Sequence, residues 1–183
     1  MDVSFSVDNR AIAAVVVLQL GDLEILEKRT LPVELFFPYS PGFLGVREAD
    51  AVISVLNTLE HDFDVLMVNG HGVMHPRGFG LACQVGVLCD VPTIGVAKRL
   101  IDGRYIKRAT QRHHAIGEFQ LITENNNELG AFFKGKYVSF GHKISLKTAL
   151  SIVKMTSVFK TPEPIRQTHI LATETFKQEL TSN

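Results

Sequence analysis

The sequence is poor in the residues and runs that mark secreted and membrane proteins. Its 183 residues include no tryptophan and only two cysteines, Cys83 and Cys89, which form no Cys-x-x-Cys motif. So few cysteines argue against a disulfide-stabilised domain and favour a reduced, cytoplasmic chain. The longest apolar run, Ala11 to Leu18, is far too short to cross a bilayer, and the first ten residues lack the pattern of a signal peptide. We therefore expect no membrane association.

An excess of either charge is also missing. Nineteen basic and nineteen acidic residues cancel, and the pI is about 7.1. A net charge of zero argues against a protein that coats nucleic acid non-specifically, but it allows a local basic patch. Such a patch is either a solvated surface or a rim that contacts phosphates. Residues 98–114 carry Lys98, Arg99, Arg104, Lys107, Arg108 and Arg112 against the single acid Asp102.

The first third of the chain predicts an antiparallel meander. Apolar and β-branched residues favour strands over Val3–Val7, Ala11–Leu20 and Leu23–Arg29. The short gaps between them contain Asp-Asn and Gly-Asp, which are typical of hairpin turns. Helical spacing then begins at residue 45 and continues to residue 60.

The rest of the chain alternates between helix and strand. This order predicts an α/β, ribonuclease H-like fold with a mixed sheet, formed as a single domain over residues 1–183. The fold alone does not define a function. The expected elements are strands at Asp64–Val68 and Thr93–Val96, a helix at Gly80–Leu88, a hairpin of Ala131–Phe133 and Tyr137–Phe140, a helix at Ser145–Val153, a Thr161-Pro-Glu-Pro loop and a final helix at Ile165–Leu180.

Three oxygen-bearing side chains occupy positions that such a sheet brings together. Asp2 begins the first strand, Glu48 lies near the start of the first helix, and Asn69 ends the first parallel strand. Two carboxylates and a third oxygen, open to water, suit Mg²⁺, which keeps several water ligands. A metal held there could activate water and neutralise the leaving oxygen of a phosphodiester. The alternative is that each acid is an ordinary solvated charge.

A proline-framed aromatic residue follows the meander. Tyr39 lies between Pro38 and Pro41, and two prolines stiffen the backbone around it. A ring held outward by a stiff loop can stack on a base or wedge into a duplex. The alternative is a tyrosine that packs over a proline-rich turn.

Six stretches, in order along nearly the whole chain, resemble the endonuclease V family of deaminated-purine endonucleases. The family's usual extension before the first strand is not part of the resemblance. The motifs are long and unlike those of other ribonuclease H-like enzymes. They are MDVSFS at 1–6, PYSPGFLGVRE at 38–48, VNGHGVMHPRGFG at 68–80, PTIGVAKRL at 92–100, YVSFGHKISLKTAL at 137–150 and PEPIRQTH at 162–169.

The resemblance implies a catalytic set. Asp2 and Glu48 match metal-binding acids of the family, and Asn69 stands where the family carries a second aspartate. Lys98 and His75 match basic residues near the scissile phosphate. Lys98 could stabilise charge on the phosphoryl group. His75 could orient water or assist the leaving oxygen, since the ordinary pKa of histidine lies near neutrality.

The resemblance also implies a substrate-binding set. Tyr39 matches the wedge residue that probes the lesion. Leu44, Gly70 and Gly80 would lie near the pocket for a flipped-out hypoxanthine, where glycines let backbone amides approach the base. His169 falls where family members carry Asp or His near the metals.

The implied function is Mg²⁺-dependent hydrolysis, with Mn²⁺ able to substitute, at the second phosphodiester 3′ of deoxyinosine or inosine in DNA or RNA. The protein is expected to act as a monomer. Asn69 leaves three explanations open, because an amide lacks the charge of aspartate. The chain is a natural variant with weakened activity, a variant made to trap a complex, or a protein that recognises the lesion without cleaving.

Two readings outside the family have weaker support. Gly70-His71-Gly72 after a strand is typical of a nucleotide-binding loop, but His75 occupies the place of the third glycine. A zinc site from His71, His75, Cys83 and Cys89 is conceivable, but the spacing matches no common zinc motif. The two cysteines are better explained as core residues.

Overall fold

The computed structural model describes residues 1–5, 9–38, 40–101, 115–116 and 118–181. Within these ranges the chain forms nine strands and four helices. They are β1 (Asp2–Phe5), β2 (Arg10–Leu18), β3 (Ile25–Glu34), α1 (Leu44–Leu56), β4 (Leu66–Val68), α2 (Leu81–Cys89), β5 (Thr93–Ala97), β6 (Ala115–Ile116), β7 (Phe119–Glu124), β8 (Asn127–Phe133), β9 (Lys136–His142), α3 (Leu146–Thr156) and α4 (Glu163–Thr181).

The predicted meander is confirmed. β1, β2 and β3 form an antiparallel sheet in that order, with Asp2 opposite Ala14 and Arg10 opposite Glu34. β2 is the central strand, and residues 11–17 are buried because both of its faces are covered. That burial explains why the strand is continuously apolar rather than alternating.

The second sheet has the order β4-β5-β9-β8-β7-β6. β4 runs parallel to β5, with Val68 opposite Gly95, and β5 runs antiparallel to β9. Two main-chain bonds connect the two sheets: the Met1 nitrogen donates to Met67 O at 2.9 Å, and the Asn69 nitrogen donates to Met1 O at 3.1 Å. Bonds that flank one residue in this way are the parallel pattern, so β1 is the neighbour of β4. The expected ribonuclease H-like mixed sheet is therefore confirmed.

Helices cover both faces of this sheet. Val52 of α1 and Val85 of α2 join Val68 in a buried cluster on one face. On the other face, Ala149 and Val153 of α3 pack with Ile94, Val96 and Val138, and Ile165 of α4 joins the same cluster. None of the described helices is both long and apolar enough to span a membrane.

The structure corrects several predicted boundaries. α1 ends at Leu56, four residues early, and Val46 lies on its exposed side instead of the expected buried face. α4 begins at Glu163, because Pro164 occupies the first turn of the helix, where proline needs no partner for its missing N–H. Strands β6 and β7 were not predicted. The Lys134–Gly135 turn, with φ of 46° and 82°, and the Ser145 N-cap, which accepts a bond from the Thr148 nitrogen, are confirmed.

Glu27 ties β3 to the loop that follows α1. Its carboxylate accepts main-chain bonds from Glu60 and His61, lies 2.9 Å from His61 Nδ1 and pairs with Arg29 Nε at 2.7 Å. Burial alone would raise the pKa of Glu27. The bonds from His61 and Glu60 and the charge of Arg29 outweigh burial and lower the pKa to about 2.

Replacing Glu27 by Gln is expected to lower the free energy of unfolding at neutral pH. A carboxylate whose pKa is lowered by folding stabilises the fold above its ordinary value of 4.5, and that contribution is lost as pH falls toward 2. The difference in melting temperature between wild type and Glu27→Gln should therefore shrink from pH 6 to pH 3. Thermal denaturation over this range checks it, with exposed Glu24→Gln as the control. An equal difference at both pH values would contradict it.

Candidate active site

Asp2 is the centre of a hydrogen-bonded group at one edge of the sheet. Its side chain is buried, and Asn69 Nδ2 donates to Oδ1 at 2.8 Å. The Val3 nitrogen donates to the same oxygen at 3.0 Å, and His169 Nδ1 lies 2.7 Å from Oδ2. Because β1 and β4 are adjacent, a residue near the start of the chain meets one 67 positions later. The predicted meeting of Asp2 with Asn69 is confirmed.

Glu48 lies in the second turn of α1, on the side that faces the sheet. Only 5% of its surface is exposed. Burial, and then the negative charge of Asp2, raise the pKa of Glu48 to about 8, against an opposing effect of Arg47. Glu48 is therefore mostly protonated at neutral pH in the absence of a cation.

This arrangement fits a hard divalent cation. Repulsion between Asp2 and Glu48 is the interaction that a cation between them would relieve. No three His, Cys, Asp or Glu side chains of the described residues form a metal-binding group. Two carboxylates, an amide oxygen and water are the ligands that Mg²⁺ accepts, whereas this set does not suit zinc. The Asn69 amide would have to rotate, since its nitrogen now faces Asp2.

His75 belongs to a loop that Arg77 fastens to the segment before α1. The Arg77 nitrogen donates to His75 Nδ1 at 3.2 Å, and Arg77 Nη1 donates to Gly42 O at 2.7 Å. The Arg77 guanidinium also stacks on the Phe43 ring, 4.0 Å from its centre. Burial, and then the charge of Arg77, lower the pKa of His75. The ordinary pKa of histidine lies near neutrality, so lowering the pKa of His75 favours its uncharged form at neutral pH.

A cleft of about 240 Å³ opens beside this loop. Leu44 and Gly80 line it, and an added Cβ at Gly70 would lie 3.7 Å from Leu44. His71 also lines the cleft, and burial lowers its pKa to about 4. Sequence reasoning considered His71 as part of a nucleotide-binding loop and as a zinc ligand, and did not place it in this cleft. Tyr39 lies outside the described residues.

The remaining predicted residues lie at the same edge. Lys98 directly follows β5 and is exposed. His169, in the second turn of α4, is largely exposed but touches Asp2. The arrangement thus brings acids, an amide, a histidine and a lysine to the carboxyl ends of β4 and β5. Cys83 is buried and lies in α2, as expected for a core residue.

Comparison with known proteins decides the family. The sequence profile described as Endonuclease V matches residues 1–170. The chain belongs to the endonuclease V family. Endonuclease V of Dictyoglomus thermophilum is 36% identical over 182 residues, which cover 96% of this chain and 78% of that protein. Endonuclease V of Trichormus variabilis is 37% identical over 180 residues, 94% of this chain and 80% of that protein.

Solved structures of endonuclease V support the same assignment. The catalytic domain of human Endonuclease V has a TM-score of 0.84 and 32% identity, over 98% of this chain and 82% of that chain. Endonuclease V of Ciona intestinalis, solved with a 24mer DNA that contains an inosine followed by a ribo-adenosine, has a TM-score of 0.78 and 27% identity, over 97% and 84% of the two chains. The chain is accordingly a nuclease, a hydrolase of phosphodiester bonds.

Glycine 80 allows close backbone packing behind the cleft. A Cβ at Gly80 would lie 2.3 Å from the carbonyl oxygen of His71, whereas one at Gly70 would meet Leu81 at an ordinary 3.4 Å. We expect Gly80→Ala to lower the free energy of unfolding by roughly 1–3 kcal/mol, as overpacked sites do. Gly70→Ala is the matched control and should remain near wild type. Urea denaturation measures both, and equal stabilities would contradict the packing argument.

Replacing Glu48 by Gln should make the metal-free protein less sensitive to alkaline pH. A carboxyl group whose pKa is raised by folding stabilises the fold below its ordinary value of 4.5, and the contribution is lost as pH rises to about 8. Wild type should therefore lose stability between pH 5 and pH 8, at up to about 1.4 kcal/mol per pH unit. Glu48→Gln should not lose stability over this pH range, although the substitution should abolish cleavage.

Melting curves in EDTA at pH 5, 6, 7 and 8 check this expectation. The control is Asp50→Asn, an exposed acid two residues further along α1. Parallel pH dependence in wild type and Glu48→Gln would contradict the buried, proton-binding state of Glu48.

Proposed function

We propose that this chain is a metal-dependent endonuclease that cleaves nucleic acid at a deaminated purine. The observation that supports this proposal is that Asp2 and Asn69 are hydrogen-bonded at the edge of the sheet. Glu48 lies close enough to Asp2 for their charges to interact. The inosine-containing DNA in the Ciona complex supports the choice of lesion. The proposed reaction is hydrolysis of the second phosphodiester 3′ of deoxyinosine or inosine, in DNA or RNA, which leaves a 3′-hydroxyl and a 5′-phosphate.

Asp2, Glu48 and Asn69 would hold the metal, Mg²⁺ or Mn²⁺. When bound, the metal supplies an activated water and neutralises charge that develops on the phosphoryl group. Glu48 must lose its proton before it can act as a ligand, because its pKa is about 8 without a cation. Cation binding therefore competes with that proton and is favoured at higher pH.

Lys98 and His75 have different chemical capacities at this edge. Lys98 is exposed and can place an ammonium against the phosphoryl oxygens. His75 is uncharged at neutral pH, so it can share a hydrogen bond with water but supplies no positive charge. His169 bonds to Asp2, which makes it a positioning residue for that carboxylate.

The cleft between Leu44 and Gly80 is the proposed site of the flipped-out base. Its volume of about 240 Å³ is below that of drug-sized pockets, at about 300–1,000 Å³, and suits a single base. Tyr39 is proposed as the wedge that fills the gap left in the strand, by the family resemblance alone. The protein is proposed to act as a cytoplasmic monomer.

Asn69 supports a second candidate, a protein that recognises the lesion without cleaving. Its amide donates to Asp2, the carboxylate that should face a cation. An aspartate at position 69 would instead add a negative charge beside Asp2. Asn69 therefore stabilises the metal-free site and weakens the reason for a metal to bind.

Asn69→Asp separates the two candidates. Loss of the bond to Asp2 and the added repulsion should lower the melting temperature in EDTA, and Mg²⁺ should restore it. The metal concentration for half-maximal stabilisation should fall by about tenfold or more, because ligand charge sets affinity. Cleavage of a single-stranded oligonucleotide with one deoxyinosine should rise in parallel, at the second bond 3′ of the lesion.

Wild type, Asn69→Asp and Asn69→Ala are assayed together with Mg²⁺ and with Mn²⁺. Cleavage by wild type supports the nuclease, with Asn69 as a tolerated ligand. Cleavage by the Asp variant alone identifies Asn69 as the residue that limits the chemistry. Inosine-selective binding with no cleavage by any variant would favour the recognition protein and overturn the proposed cleavage at the lesion.

A further inference from the structure

Two lysines are neighbours at the edge of the sheet that carries the candidate active site. β5 and β9 are antiparallel, and the last pair of their ladder is Ala97 with Tyr137. Beyond this pair come Lys136, the first residue of β9, and Lys98, the residue directly after β5. Like charges at the adjoining ends of neighbouring strands repel each other and destabilise a sheet.

Among the residues that the structure describes, no carboxylate is paired with these two ammonium groups. Burial, and then the charge of Lys98, lower the pKa of Lys136. A neighbouring lysine behaves differently: Lys134 bonds to Ser157 O at 2.8 Å and lies over the Phe133 ring.

The same face of the sheet carries Asp2 and Asn69. Val96 and Val138 face each other in the α3-covered core, and alternation along β9 puts Lys136 on that face. Met67 belongs to the same core, so Asn69, two residues on, shares the face and bonds to Asp2 there. Asn69 is level with Val96, since Val68 pairs with Gly95. Lys136 therefore lies one side-chain step beyond the level of Asn69, about 6.6 Å further out.

We infer that Lys136 and Lys98 form a two-lysine clamp for the nucleic-acid backbone, with Lys136 holding the phosphate that flanks the scissile one. Two neighbouring lysines without a counter-charge destabilise the fold locally. Proteins retain such unfavourable arrangements at functional sites. A phosphate between the two ammonium groups would remove their repulsion. Asp2 and Glu48 cannot do so, because their carboxylates would face the cation. Lys136 is a binding residue in this assignment and takes no part in the chemical step. The inference rests on the proposed function only in that the ligand is a nucleic acid.

Binding by Lys136 should appear in the salt dependence of affinity. Each lysine–phosphate contact to a single strand contributes about 0.7 to the slope of log K against log[salt]. We expect Lys136→Gln to reduce that slope by about 0.7 and to weaken binding roughly five- to tenfold at low salt. Lys136→Arg should restore both. The measurement is fluorescence anisotropy of a single-stranded oligonucleotide, in EDTA, over a series of KCl concentrations.

The matched control is Lys147→Gln, which removes an exposed lysine near the start of α3, beyond the opposite end of β9. Its slope should equal that of wild type. The melting temperature of Lys136→Gln should equal or exceed that of wild type, because the substitution relieves repulsion. A lower melting temperature with an unchanged salt slope would assign Lys136 a structural role and overturn the clamp.

A second oligonucleotide with adenine in place of inosine distinguishes this inference from the proposed function. Phosphate contacts carry no base information, so Lys136→Gln should weaken both oligonucleotides by the same factor. If wild type binds the inosine and adenine oligonucleotides equally and Lys136→Gln still reduces the salt slope, the clamp is supported and the lesion preference is excluded. A preference for inosine with no slope change in Lys136→Gln would overturn the clamp and leave the lesion preference intact.

Discussion

The parallel contact between the first residues of the chain and β4 is the constraint on which the site depends. Two main-chain bonds flank Met1 and hold the antiparallel meander against the mixed sheet. Without them Asp2 and Asn69 would belong to two separate sheets. With them, the Asn69 amide lies 2.8 Å from the Asp2 carboxylate. The architecture thus converts a long separation in sequence into a short one in space.

Like charges lie close together at two places along this edge of the sheet, and their repulsion is relieved in a different way at each place. Asp2 and Glu48 repel, and the conflict is met by a proton on Glu48 whose pKa is about 8. Lys98 and Lys136 also repel, without a partner in the described residues. A cation would relieve the repulsion of the first pair, and in the proposed clamp a phosphate would relieve that of the second. A site that binds a metal beside a nucleic-acid strand needs acidic groups for the metal and basic groups for the phosphates next to each other.

Asn69 changes the balance within this design. An amide at position 69 supports Asp2 by a hydrogen bond, where a carboxylate would add charge and need a cation. Stability of the metal-free fold and affinity for the metal are therefore opposed at this position. The same opposition applies to Glu48, since a buried carboxyl group that binds a proton well must release it before it can bind a metal.

Local pattern was sufficient for most of the elements. The hairpin at Lys134–Gly135, the Ser145 cap and the helix–strand alternation depend on neighbouring residues, and sequence reasoning found them. The motifs also identified the family and predicted the members of the site. The early end of α1 and the exposure of Val46 were missed, because packing against α2 and β2 chooses the buried face. β7 was missed because its burial depends on β8, a partner that a local pattern does not reveal.

The sequence by itself determined the residue types at the site, their order and the fold class. Hydrophobic periodicity and turn residues act over a few positions, so they can be read along the chain. Tertiary structure alone decided the charge states and the pairings. The lowered pKa of His75 comes from burial and Arg77, the raised pKa of Glu48 from burial and Asp2, and the Lys98–Lys136 pair from the register of β5 and β9. Burial and through-space charge depend on residues distant in sequence, and only the folded chain brings those residues together.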